Sequence, residues 1–397
     1  MLLFATATFA SCQALIDEIG GDFEHAPAAM ASGLSEESRD LLASATCDLP
    51  AGRYVDLHVH ALGPEVHPNW RSWLHPAMRV RSSVYLSAAR VRDVERVGEE
   101  SAERLVELVD HFPARGKFFV YAMDRTYGED GRPDAERTAF FVSNEAVVEL
   151  ASRRPDALVP VISVHPRRPD ALEELRLWRA AGCRFVKWIP SAMAFDPADA
   201  RLDFFYAELR ELDLTLLVHT GAEGAMETWD TAKFDNPQRL RRALDAGVRV
   251  VALHCGTGAS FADLDDPRGG EREGFELFLE MLEDPRHEGR LFGDTSALVF
   301  LTRGAQYLEQ LLARPELHSR LVHGSDYPLC AIDVLVWLSR FESAGLLDPR
   351  DSGALREIYV YNPLAFELAL MRSLSHPRTG RRFAASVFAL PAGWDAH

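Results

Sequence analysis

The chain has 397 residues, 47% of them hydrophobic and 26% charged, and carries a formal net charge of -17. Length and composition fit a globular protein with one sizeable core and exclude a disordered or fibrous chain. The negative balance argues against a nucleic-acid partner or an anionic membrane surface, because both select clustered positive charge.

Lys117, Lys187 and Lys233 are the only lysines among 43 basic residues, so a lysine inside an apolar run is informative. Cys12, Cys47, Cys183, Cys255 and Cys330 are scattered and form no CxxC spacing, which points to a reducing, cytoplasmic setting. Met1–Ala10 is apolar but no Lys or Arg precedes Arg39, so the basic start of a secretory signal is lacking. No run is long enough to span a bilayer.

In chain order, residues 1–52 carry helical patterns around Gln13–Ile19 and Glu36–Ala45, broken by Pro27 and Gly33, and read as a small helical appendage. From Arg53 short β-branched or aromatic runs alternate with longer stretches of helical period. The strand candidates are Tyr54–His60, Phe118–Asp124, Leu158–His165, Arg184–Pro190, Leu214–Thr220, Val248–Cys255, Arg290–Asp294 and Arg320–Asp326. Helical returns are expected at Asp170–Ala181, Arg201–Leu212, Pro237–Ala246, Phe275–Glu283, Arg303–Ala313 and Ile332–Ala344, with a further helix over Leu355–Leu374. Strands each followed by a helical return predict an α/β fold, a (β/α)8 TIM barrel over residues 53–375, with a C-terminal tail at 376–397. Insertions follow strands one and two. Ala61–Pro113 carries His67, Trp70, Trp73 and His75, and Arg125–Ser143 is rich in Gly, Asp and Arg. Both follow carboxyl ends of strands, so they serve either as pocket walls or as a contact between copies of the chain.

The chemistry sits at those carboxyl ends. Asp56-Leu57-His58-Val59-His60 places two histidines two residues apart on one strand, so their imidazoles share a face. Strand four carries Lys187, strand five ends in His219, strand six in His254 and strand eight in Asp326. In a parallel barrel these ends share one mouth, and the N/O donor set suits Zn²⁺, Mn²⁺ or Fe²⁺. Lys187 lies in an apolar strand, where an ammonium must be paired, neutral or chemically modified.

These motifs resemble the amidohydrolase superfamily of metal-dependent hydrolases over about Arg53 to Arg372. Val218-His219-Thr220-Gly221, Gly324-Ser325-Asp326-Tyr327-Pro328 and Asn362-Pro363 are most similar to its amidohydrolase-related branch, which also includes non-oxidative decarboxylases. The resemblance implies a divalent-metal cofactor, Zn²⁺ first and Mn²⁺ as the alternative. In a two-ion arrangement, the one we favour, His58, His60 and Asp326 hold the inner ion, His219 and His254 the outer, and a carboxylated Lys187 both. Asp326 is then the general base toward an activated water. In the one-ion arrangement His58, His60, His219 and Asp326 bind the ion and His254 is a free acid or base, as suits a decarboxylase or hydratase. A third, non-enzymatic possibility is a barrel that binds a partner, and it predicts broken ligand positions. The expected partner is a small-molecule substrate, and a homo-oligomer is compatible with the sequence. His165, Arg125, Trp188 and Glu223 are candidate substrate contacts, with Tyr127, Glu227, Trp70 and Trp73 as weaker ones.

Overall fold

The computed structural model describes residues 16, 19–21, 25–49, 52–63, 76–226, 228, 230–391 and 393–394. His67, Trp70, Trp73, His75, Glu227 and most of Gln13–Ile19 lie outside the described residues. The strands are β1 (Tyr54–His60), β2 (Gly116–Tyr121), β3 (Leu158–Val161), β4 (Phe185–Trp188), β5 (Thr215–His219) and β6 (Arg249–Leu253). A small antiparallel pair, β7 (Ser260–Ala262) and β8 (Glu271–Glu273), precedes β9 (Leu291–Asp294) and β10 (Leu321–Val322). The pair was not foreseen from the sequence; β9 and β10 are the strands numbered seven and eight above.

Among the described residues the strands outside that hairpin pair in parallel, in the orders β1-β2-β3 and β10-β9-β6-β5-β4. Backbone bonds join the two runs at both ends. Lys187 N donates to Ile162 O at 2.7 Å beside β3 and β4. Leu57 N donates to His323 O at 2.8 Å and His60 N to Tyr327 O at 2.7 Å beside β10 and β1. The result is a closed (β/α)8 barrel.

Most strands leave the ladder earlier than the apolar runs suggest, because the chain turns outward to deliver functional side chains. His254 and Asp326 have φ of 60° and 59°, a left-handed conformation that is strained for residues with a Cβ. The expected helix over Leu355–Leu374 is two helices, Asp351–Tyr361 and Pro363–Ser373. Pro363 cannot continue the first, and Asn362 caps the second by accepting from Leu364 N at 3.1 Å and Ala365 N at 3.2 Å. Ile332–Ala344 is helical as a full α-helix only over Leu338–Ser343, and Pro237–Ala246 divides into a 3-10 turn and the helix Arg241–Asp245.

Inside the barrel Val55, Leu57, Phe119, Tyr121, Leu217 and Val251 belong to one enclosed apolar cluster. The opposite strand faces join a larger core with the helices. In the C-terminal tail Ala389 bridges Tyr54, and Trp394 joins the interior cluster from the amino ends of the strands. Glu36–Thr46 packs on the last two helices, tied by Ser35 and Ser38 to the Glu357 carboxylate. No helix among the described residues is long and apolar enough to cross a membrane.

Candidate active site

The carboxyl ends of the strands surround a cavity with about 680 Å³ of empty space, part of it open to solvent. His58, His60, Lys187, Glu223, His219, His254 and Asp326 all line it. Gly324 makes room for the floor, since a Cβ there would lie 2.7 Å from Cβ of His58.

Three donor atoms form a tight triangle. His58 Nε2 lies 3.2 Å from His60 Nε2, and Asp326 Oδ1 is 3.3 Å from the first and 3.1 Å from the second. Donors about 2.1 Å from a common ion stand about 3.0 to 3.4 Å apart at octahedral to tetrahedral angles, so these residues fit a divalent metal. Both rings must also show Nε2 to the ion, and for His58 the structure arranges this. His58 Nδ1 contacts Asp294 Oδ2 at 2.7 Å and Ser296 Oγ at 2.9 Å, leaving Nε2 for the mouth. An outer carboxylate on a ligand histidine fixes the tautomer and strengthens the donor. His58, His254 and Asp294 also cluster closely, but the 2.7 Å contact is an ordinary hydrogen bond, so Asp294 orients rather than binds. His254 Nδ1 is held by Ser296 Oγ at 2.8 Å. Asp294 and Ser296, on and just after β9, carried no assigned role in the sequence; their importance depends on tertiary placement alone.

Burial governs the electrostatics. It lowers His58 far below the ordinary histidine value and His254 to about 3, keeping both rings neutral as ligands require. Burial pushes Asp326 up, but His58, the bond from His60 and His254 outweigh it and hold the carboxylate below its usual range. Burial also lowers Lys187 to about 8, against Asp294, Asp326, Glu223 and Asp235, which favour its charge. The Lys187 amine is fully buried with no hydrogen-bond partner, 4.8 Å over the Tyr121 ring. His219 stacks edge-on against His254 with centroids 4.7 Å apart, and its Nδ1 stands 3.5 Å from Glu223 Oε2. Its Nε2 is buried without a hydrogen bond, a second vacant donor beside the triangle.

Of the expected substrate contacts among the described residues, Glu223 alone lines the cavity, its Oε1 fixed by Ala225 N at 2.6 Å and Met226 N at 2.9 Å. His165 does not reach the cavity. Its Nε2 bonds Met193 O at 2.9 Å and its Nδ1 accepts from Arg167 N at 3.0 Å, so both nitrogens serve the backbone. Trp188 points away from the mouth into the helix layer, donating to Val164 O at 2.8 Å and packing on Phe195 and Phe205. Alternation along β4 requires this, since Lys187 faces inward. Arg125 lies in a separate surface cleft with its guanidinium 3.7 Å over the Phe141 ring, and Tyr127 packs on His165. Two cavity residues lacked any sequence signal: Tyr85, on the helix Pro76–Ala88, and Arg303, after β9.

A family profile described as "Amidohydrolase" matches residues 55–366. No curated protein matches the chain. An uncharacterized TIM-barrel protein from Bordetella bronchiseptica is similar in structure, with 16% identity, a TM-score of 0.48, and coverage of 77% of this chain and 95% of that one. A 5-carboxyvanillate decarboxylase from Sphingomonas paucimobilis is 12% identical, with a TM-score of 0.49 and coverage of 85% and 97%. For a 4-oxalomesaconate hydratase from Rhodopseudomonas palustris the values are 15%, 0.40, 79% and 97%.

Proposed function

This chain belongs to the amidohydrolase family, and from that membership we propose that it is a metal-dependent hydrolase opening an amide, ester or lactone bond of a small molecule. The observation that carries the proposal is the triangle of His58 Nε2, His60 Nε2 and Asp326 Oδ1, with edges of 3.1 to 3.3 Å, on the floor of the cavity. When bound, a divalent ion, Zn²⁺ or alternatively Mn²⁺, supplies Lewis acidity to the reacting carbonyl and eases deprotonation of water.

The protein's own groups do the rest. Asp326, fixed between the two histidines, accepts the proton of the attacking water and returns it to the leaving group. Asp294 and Ser296 hold His58 and His254 in the required tautomers. Lys187 offers a buried amine without a hydrogen bond, whose charge acts on both His58 and His219. Addition of CO₂ would convert that donor into anionic oxygens. Beside Asp294, Asp326, Glu223 and Asp235 this extra negative charge requires compensating cations. We therefore assign a second ion to carboxylated Lys187, His219 and His254.

One observation favours a second reading. Among the described residues His254 does not join the group of His58, His60 and Asp326, which suits one ion held there with His219 as a further ligand, a free Lys187 amine and His254 as acid or base for decarboxylation or hydration of a small carboxylic acid. Metal content per chain, with carbon NMR after equilibration in labelled bicarbonate, separates the two. Two ions and a carbamate signal absent from Lys187→Met support the two-ion hydrolase. One ion and a free amine overturn it, and CO₂ release from carboxylic acids without turnover of any amide, ester or lactone overturns hydrolysis.

A further inference from the structure

Beside the cavity lies a second chamber with about 460 Å³ of empty space, opening on the same mouth and sharing His60, Tyr85, Ala225, Met226 and Leu329 with it. Its walls are almost wholly apolar: Leu62, Tyr85, Phe140, Met226, Pro328 and Leu329. Leu62 and Tyr85 belong to the insertion after β1 and Phe140 to the one after β2. Both insertions therefore contribute walls to the pocket. An apolar chamber opening beside a metal-type donor set accommodates an aliphatic or aryl group, because little in it can replace the hydrogen bonds of a polar one.

Elsewhere in the mouth the chemistry reverses, on the loop after β9, which β10 separates from β1. There Arg303, 6% exposed, lines the cavity and donates Nη1 to Thr257 O at 2.5 Å and Nη2 to Ala222 O at 2.6 Å. Gly258 is needed beneath it, since a Cβ there would strike Nη1. The guanidinium is thus clamped across three loops, with Nε buried and without a hydrogen bond. Burial disfavours its charge and outweighs the favourable influence of Glu223 and Asp326, and among the described residues no carboxylate is paired with it. A rigid, desolvated guanidinium with spare donors is suited to an anionic oxygen group.

We propose that the site takes a small molecule carrying both an apolar substituent and an anionic group, the first in the chamber, the second on Arg303. The nature of the bond broken rests on the hydrolase proposal; the two-ended recognition does not.

The test is equilibrium binding to the metal-loaded enzyme of N-hexanoylglycine, N-acetylglycine, which lacks the apolar chain, and hexanamide, which lacks the carboxylate. N-hexanoylglycine should bind about tenfold or more tighter than either. Arg303→Met should erase its advantage over hexanamide, and Phe140→Ser should reduce its advantage over N-acetylglycine. The wild-type ranking decides even if a variant fails to fold. Equal affinity for the hexanoyl and acetyl compounds, equal affinity for hexanamide, or no binding of any probe at millimolar concentration overturns the inference. The expected ranking without hydrolysis supports it while counting against the hydrolase proposal. Hydrolysis without the ranking does the reverse.

Discussion

At the amino-end mouth of the barrel Trp394 lies 4.9 Å from the Phe292 ring and 5.9 Å from Phe185, with the Arg249 guanidinium 5.6 Å above it. At the carboxyl-end mouth the same strands gather four histidines, a lysine and several carboxylates around a cavity, and leave Lys187 Nζ and His219 Nε2 without hydrogen bonds. One end buries mainly apolar surface. The other holds polar groups away from water without partners, a cost of roughly 1–3 kcal/mol for each unsatisfied group. Stability should therefore come from the first mouth and function from the second, and single substitutions can separate them.

The largest expected effect is at the functional mouth. Asp326→Asn should lower kcat about 10³ to 10⁴-fold, while the metal-free protein melts within a degree or two of wild type or higher, because a buried charge is removed. A large loss of Tm in that variant would show that the mouth also supports the fold. Trp394→Ala should do the opposite, lowering unfolding free energy by about 3–4 kcal/mol with metal content unchanged in the folded fraction. Denaturant titration with parallel metal analysis checks it; a loss of bound metal at full folding would break the separation. Smaller again is Ser296→Ala. It leaves the triangle intact but removes the hydroxyl contact of His254 Nδ1, which keeps Ser296 O at 3.2 Å, and one contact of His58, and should weaken metal affinity about 10 to 100-fold, read by chelator competition.

How much of this could be read from the sequence follows from the range of each signal. Tyr54–His60 forms the expected strand and His58 and His60 share a face, since alternation is a local property. Barrel order then brought His219, His254, Lys187 and Asp326 to the same cavity. The same rule, applied one residue further, would have turned Trp188 outward. His165 lies beyond the last paired residue of β3, where alternation no longer sets direction. Asp294 and Arg303 depend on contacts 236 residues away with His58 and 81 residues away with Ala222, which no local pattern carries.

The smallest effect distinguishes two histidines that the sequence analysis assigned to the same site. His165 and His254 both follow strands, and burial lowers each to about 3. Each binds its proton in the unfolded chain at about 6.5 but not in the folded one, so stability is complete above that value and falls as pH drops from about 6.5 toward 3. At pH 5 one such group removes at most about 2 kcal/mol. For His254, in the functional mouth, bound metal keeps the proton off the folded state, so its share of the acid loss persists and extends below about pH 3. For His165, whose nitrogens serve Met193 and Arg167, metal should make no difference. His165→Gln keeps a donor and an acceptor without a titrating ring. Unfolding curves at pH 7 and pH 5 should show a smaller acid loss in that variant than in wild type, by the same amount with and without metal. A metal-dependent difference would place His165 in the functional mouth after all.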